Sequence, residues 1–446
     1  MEDCEVSKPE HLCVLVHGLW GNPGHMWYLE KSLCEEYPED RLHILSAKGN
    51  AGNHTYDGIE TGGERVAHEI EQELEKLAKK GTPIKKLSVI GYSLGGLVAR
   101  YAVGLLYHNK WFDERLEPNF TTFATPHLGV RTPLLGFPST LWNVLGARTL
   151  SISGRQLFGI DKFRDTGRPL LSVLADPEGI FIRALTTFKN RSLYANVIND
   201  RSAVFYTTAI SRTDPYVNID NLDVNYVPGY EPVVIDGKNP FSMKNAESSG
   251  TFSRLRKRLD AWIAKLPMYA FLVFIVPIGV VIFLSNSVIQ SVASQQRIRL
   301  HQTGKTGVDV SKYRIPLLQN MRETAETLYE NVNSAQDQEY LPVEYEDAAV
   351  SHGSSLLLPE PSKAMSQSSG KSTVDTEDPQ VEVPTLALTD EQFAMIDALD
   401  KVGWKKYHVW IHKARHSHAA VIVRMNEKRF NEGKVVVRHW LSEFEL

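Results

Sequence analysis

The stretch LSVIGYSLGGLVARYA, Leu87 to Ala102, decides the fold. Leu87 to Ile90 is a short continuous apolar run, the pattern of a strand buried on both faces. Leu97, Val98, Tyr101 and Leu105 then recur on one helical face. Between strand and helix lie Gly91, Ser93 and Gly95, so the serine has a glycine two positions away on each side. A chain that passes straight from strand to helix is strained at the turn and leaves little room around it. Glycines at those two positions let neighbouring backbones approach. The helix N-terminus then directs its free N–H groups and positive dipole end at the serine. That setting turns a hydroxyl into a nucleophile, and Ser93 is the candidate.

The surrounding segments alternate in the same way. Leu12–Val16 reads as a strand, with a turn at Gly18 and Gly21, and His25 to Cys34 as a helix. Leu42–Leu45 reads as a second strand, and Thr61 to Lys79 as an amphipathic helix on Val66, Ile70, Leu74 and Leu77. Thr121–Ala124 and Leu193–Ile198 are further strands. This alternation predicts an α/β class with a mostly parallel sheet and helices on both faces. With the serine turn, it predicts the α/β-hydrolase fold.

Attack on an ester carbonyl also needs donors for the developing negative charge. The loop His17-Gly18-Leu19-Trp20-Gly21 follows the first strand and should lie beside the serine turn. The N–H groups of Leu94 and Leu19 are the candidate oxyanion donors. His17 reads as a loop-fixing residue. In this fold the acid follows the nucleophile in sequence, and the base follows the acid. Asp200 ends an apolar strand and so points at the site crevice, whereas Asp161 and Asp176 lie in an irregular segment. The base should come from a late loop. Tyr407, Val409 and Ile411 alternate like a strand, and Val436, Trp440, Leu441 and Phe444 suit a closing helix. Between them, His418 stands directly before the apolar run Ala419–Val423 and is the candidate base, with His416 as the alternative. A metal site on His412, His416 and His418 is the competing reading, but no cysteine or acidic partner accompanies them. The triad chemistry requires no metal and no organic cofactor.

Composition sets the frame. The chain has 446 residues, a net charge of -4 and three cysteines, Cys4, Cys13 and Cys34. The charge gives no reason to expect nucleic acid as a partner. An odd, small cysteine count suggests no disulfide framework and fits a reducing, intracellular compartment. The polar, acidic N-terminus does not read as a secretory signal.

Two features divide the chain. Leu266 to Gln296 contains no Asp, Glu, Lys or Arg, and Met268 to Leu284 is apolar almost throughout. A simple membrane crossing would put Ser93 and Asp200 on the opposite side from His418. With Pro277 and Gly279 near its middle, Leu266–Ile289 is expected to form a membrane-anchoring hairpin. Upstream, Phe252, Leu255, Leu259, Trp262 and Ile263 recur at helical spacing among Arg254, Arg256, Lys257 and Arg258, the pattern of an interfacial basic helix. Residues 331–385 are rich in Ser, Pro and acidic residues and read as a disordered acidic linker. The expected organisation is therefore a hydrolase core at 1–250 with a lid or core extension at 130–189. The membrane element follows at 251–300 and a helical connector at 301–330. After the linker, residues 386–446 complete the core and carry the catalytic histidine.

The phrases HGLWGN (His17–Asn22), TYDGIETGGERVAHEI (Thr55–Ile70), GYSLGGLVARYA, FATPHLG (Phe123–Gly129), YANVINDRSAVFYTTAI (Tyr194–Ile210) and HSHAAVIVR (His416–Arg424) together resemble the serine-esterase/lipase family of fungi and plants. Among its members they resemble the yeast lipid-droplet phospholipase and related monoglyceride-type lipases. The resemblance implies a glycerolipid lipase (a phospholipase or acylglycerol lipase) with Ser93 as nucleophile and Asp200 and His418 as partners. The implied partners are a lipid substrate and a membrane or lipid-droplet surface. The implied location is intracellular, on the lipid droplet or endoplasmic reticulum with the catalytic domain facing the cytosol. A thioesterase, an acyltransferase and a catalytically silent membrane tether are the rival readings.

Overall fold

The computed structural model describes residues 8–82, 84–112, 116–130, 151–200, 202–217, 219–243, 289–313, 386, 388–414 and 416–446. The strands are β1 (His11–Val16), β2 (Leu42–Ser46), β3 (Lys86–Tyr92), β4 (Glu117–Phe123), β5 (Asn190–Asn196), the short pair β6 (Leu222–Val224) and β7 (Phe241–Met243), and β8 (Lys405–Val409). The helices that matter here are α1 (Trp27–Glu36), α2 (Ile59–Lys79), α3 (Leu94–His108), α4 (Ser151–Leu157), α5 (Leu170–Leu174), α6 (Ile180–Thr186), α7 (Phe205–Ala209) and α8 (residues 289–302). Near the C-terminus come α9 (Asp390–Lys401), α10 (Ser417–Ala420) and α11 (Asn431–Ser442).

Six strands form one sheet in the order β2-β1-β3-β4-β5-β8, every neighbouring pair parallel. Parallel strands need crossover connections, and these bring the helices onto both faces. On one face α2, α3, α5 and α6 bury Ile70, Leu97, Leu174 and Phe181 against the strands. On the other, α1 and α11 bury Leu29, Leu33, Val436 and Trp440. The outer edge of β8 is not left open, because Ile235 N–H donates to His408 O and Trp410 N–H to Val233 O.

The chain leaves β1 to one side for β2 and returns to the other side for β3. In open parallel sheets, ligand crevices form where strand order reverses, beyond the C-terminal ends of the strands. Here that point holds the ends of β1 and β3, hence the His17 loop and Ser93.

Of the expected lid region, residues 151–189 are core. Leu157, Phe163, Leu170, Leu171, Leu174, Phe181 and Leu185 are buried in the main cluster. The apolar candidates Leu134, Leu135, Phe137, Leu141, Trp142, Val144 and Leu145 lie outside the described residues. So do the basic amphipathic run, the hairpin up to residue 288, and the linker 331–385. No helix among the described residues is long and apolar enough to cross a membrane. The connector expected to be helical over 301–330 departs from that reading in its described part. Helix α8 ends at 302, Gly304 and Gly307 take positive φ of 72° and 83°, and a short 3-10 turn follows at Val310–Tyr313. Glycines in the left-handed region terminate a helix.

Candidate active site

The serine turn has the strain expected of it. Ser93 sits at φ 54°, ψ -129°, a region that non-glycine residues avoid. A Cβ on Gly95 would stand 2.2 Å from Val16 O, and one on Gly91 would stand 2.3 Å from Gly96 Cα. Both glycines are therefore required by close backbone approach. Ser93 N–H donates to Phe123 O at 2.9 Å, which ties the turn to the end of β4.

Two further side chains converge on Ser93 Oγ. His418, in the short helix α10, places Nε2 2.8 Å from Ser93 Oγ and Nδ1 2.9 Å from Asp200 Oδ2. A carboxylate can only accept, so Nδ1 carries the proton. Nε2 is then the acceptor and the serine O–H the donor. This is the arrangement a base needs before it takes a proton from serine. Asp200 is held as firmly. Its Oδ1 accepts from the N–H groups of Ser202 and Ala203, and Oδ2 also accepts from Asn196 Nδ2 at 2.9 Å. The histidine loop is fastened to the aspartate loop where Ser417 Oγ donates to Ile198 O. Tyr92 OH donates to His418 O at 3.0 Å, so the residue before Ser93 also helps to position His418.

The alternatives lie elsewhere. His416 is exposed, and His412 packs on Trp410 with Nε2 2.8 Å from Pro232 O. The three histidines do not converge, and no metal-holding group of three or more His, Cys, Asp or Glu occurs among the described residues. Asp176 pairs with Arg168 at 2.8 Å. Asp161 accepts from Leu170 N–H at the start of α5, and burial pushes its carboxyl up to about 6.

The candidate oxyanion donors are placed by packing. A Cβ on Gly18 would stand 2.8 Å from Ser93 Cβ, so the His17–Gly21 loop lies directly against the nucleophile and Leu19 is the next residue along it. Leu94 opens α3, where a helix N–H has no intrahelical acceptor. His17 is buried, with Nδ1 3.1 Å from Gly18 O, and burial lowers its pKa. Its ring contacts the loop itself, at Gly18 and Gly21, and the Ser93–His418–Asp200 relay does not include it.

Sequence reasoning missed the outer support of this loop. Residues Gly52–Tyr56 form a 3-10 turn that grips it three times. Gly52 N–H donates to Gly21 O at 2.7 Å, Trp20 N–H to Thr55 Oγ1 at 3.1 Å, and Trp20 Nε1–H to Tyr56 OH at 2.7 Å. The quoted phrase TYDGIETGGERVAHEI contains part of this turn, but nothing in its pattern marks the partners.

Residues 6–213 match the model of a family described as "Putative serine esterase (DUF676)". The chain is 32% identical over 210 residues to "Putative lipase ROG1" of Saccharomyces cerevisiae, a match covering 46% of this chain and 29% of the relative. It is likewise 32% identical over 213 residues to "Putative lipase C4A8.10" of Schizosaccharomyces pombe, covering 46% of this chain and 26% of that one. The match thus spans under a third of the length of these two relatives. Among solved structures, a lipase-esterase related protein from Clostridium acetobutylicum aligns over 45% of this chain and 80% of its own, at 16% identity and a TM-score of 0.26. The parallel six-stranded sheet with Ser93 at the turn after β3 is an α/β-hydrolase fold, completed by the strand and histidine of residues 405–418, and residues 6–213 of it match the serine esterase family model.

Proposed function

We propose that this protein is a serine lipase that hydrolyses acyl esters of glycerolipids, as a phospholipase or acylglycerol lipase. It works on a membrane or lipid-droplet surface with its catalytic domain facing the cytosol. One observation carries the chemistry: Ser93, His418 and Asp200 form an unbroken hydrogen-bonded relay at the end of β3. Ser93 Oγ attacks the ester carbonyl while His418 Nε2 takes its proton. The oxyanion is received by the N–H groups of Leu94 and Leu19, and Asp200 stabilises the charged imidazole. His418 then protonates the leaving alcohol. Water, deprotonated by His418, attacks the acyl-serine and releases the fatty acid.

The lipid assignment is supported by the lipase names of the relatives and by the apolar run Met268–Leu284. The exposed Trp20, two residues along the loop from the glycine that packs on Ser93, agrees with it.

A fluorophosphonate probe tests the chemistry. It should label the wild type and spare Ser93→Ala, whose ester hydrolysis should fall by about 10⁵-fold or more. Full activity in Ser93→Ala would falsify the mechanism. Removal of residues 266–289 should shift the protein from the membrane pellet to the supernatant. A deletant that still sediments with membranes would refute the anchor.

A further inference from the structure

Residues 289–313 follow the apolar stretch and return to the core along α2. They are fastened at three acids spaced seven residues apart. At the first, Asp57 accepts from Ser294 Oγ at 2.7 Å and from Arg297 at 2.8 Å, while Arg65 holds its other oxygen at 2.9 Å. At the second, His301 Nε2 lies 2.8 Å from Glu64 Oε2. At the third, Tyr313 OH donates to Glu71 Oε2 at 2.5 Å. The first anchor differs from the other two in what it touches. Asp57 follows the 3-10 turn that grips the oxyanion loop. Arg297 also donates to Asn53 O inside that turn at 2.9 Å, and Ser294 Oγ to Tyr56 O at 3.3 Å.

We propose that Arg297 is a positioning residue for the oxyanion site, acting through residues 52–57 on the Trp20 loop. The route is short and continuous. Arg297 bridges Asp57 and Asn53, the turn between them carries Thr55 and Tyr56, and these hold the backbone and indole of Trp20. Trp20 is the neighbour of Leu19, and Gly18 on its other side touches Ser93. A side chain supplied from beyond the apolar stretch thus fixes the turn that fixes the donor. Without it, the turn keeps the donation from Ser153 Oγ of α4 to Thr55 O and that from Ser294 Oγ to Tyr56 O, and loses the guanidinium that ties Asn53 to Asp57. The nucleophile, base and acid are untouched, so the cost falls on stabilisation of the tetrahedral oxyanion. This inference rests on the serine-hydrolase reading above.

The test uses the full chain with a water-soluble p-nitrophenyl ester, so that membrane attachment does not enter. Arg297→Ala should lower kcat by about 10- to 100-fold with KM within about twofold. It should weaken inhibition by a trifluoromethyl ketone, which forms the tetrahedral adduct, in the same proportion. Arg297→Lys, which keeps the cation but cannot bridge Asp57 and Asn53 together, should fall between. Tyr313→Phe removes an anchor of the same segment without touching the turn and should keep wild-type kcat. Tyr56→Phe removes a single hydroxyl from the route and should lower kcat several-fold even if Arg297→Ala does not fold. Wild-type kcat in a folded Arg297→Ala protein, or in Tyr56→Phe, would overturn the proposal. An equal loss in Tyr313→Phe would do so too, since it would mean general loosening. Hydrolysis that survives Ser93→Ala would instead sink the site reading on which the proposal rests.

Discussion

Asp57 and Asp200 are both buried carboxylates with several hydrogen-bond donors, yet their surroundings differ in kind. Asp57 meets two guanidinium groups, Arg65 and Arg297, and a hydroxyl. Its charge is neutralised by permanent cations, and its work is to hold chain segments more than two hundred residues apart. Asp200 meets two backbone N–H groups, one amide and the His418 ring, with no arginine or lysine joining them among the described residues. Neutral donors fix its position without cancelling its charge. In the proposed mechanism that charge stays available for the imidazolium formed when His418 takes the serine proton. The same residue type, equally buried, serves as structural cement in one place and as electrostatic partner in the other, according to whether its donors are cations.

Replacing each acid by its amide separates the two roles. Asp200→Asn should cost the most in function: kcat should fall by about 10⁴-fold, because an amide cannot hold the required ring tautomer, with little change in Tm. Asp57→Asn should cost the most in stability. It leaves Arg65 and Arg297 with an uncompensated charge, a loss of about 3 to 5 kcal/mol by denaturant titration. If Asp200→Asn lost stability and kept kcat, the contrast between the two acids would be reversed.

A third acid sharpens the comparison with a smaller effect. Asp214 accepts one backbone N–H, from Tyr216 at 3.0 Å, and burial pushes its carboxyl from the ordinary 3.8 up to about 6. Its folded-state pKa lies above its unfolded value. The ionised form is therefore disfavoured by folding above pH 6, and stability is regained as pH falls from about 6 towards 4. Asp214→Asn keeps the acceptor and removes the charge. It should raise unfolding free energy by about 2 to 3 kcal/mol at pH 7.5 and leave it unchanged near pH 4. A gain independent of pH would show that desolvation of the carboxylate is not the cause.

Much of this was legible in the residues because it was encoded locally. The β1, β3 and β5 runs are apolar and short, the serine turn has its glycines in sequence, and Asp200 ends a strand. His418 could be chosen over His416 only by its place against an apolar run, and the structure leaves His416 exposed while His418 reaches Ser93 Oγ. β4 starts earlier than its apolar part suggests, because Glu117 and Asn119 alternate outward at the sheet end. The segment around Asp161 and Asp176 reads as irregular because the helices beside it are too brief to show a period. The Asp57 clamp left no local trace at all. Its arginine partners are 8 and 240 residues away, and an arginine reads as a surface charge until something buried answers it.

The parallel pairing of β5 with β8 has a consequence for the order in which the protein is made. Asn196 of β5 pairs with Val409 of β8, more than two hundred residues later. During synthesis the serine emerges first, then the aspartate, then the apolar stretch, and the histidine after all of them. A nascent or prematurely terminated chain that stops before residue 405 has Ser93 and Asp200 but not His418, the proposed base, and lacks the strand β8 that pairs with β5. On the proposed mechanism the polypeptide gains its base only when residues 405–418 dock, and the apolar stretch has by then already left the ribosome.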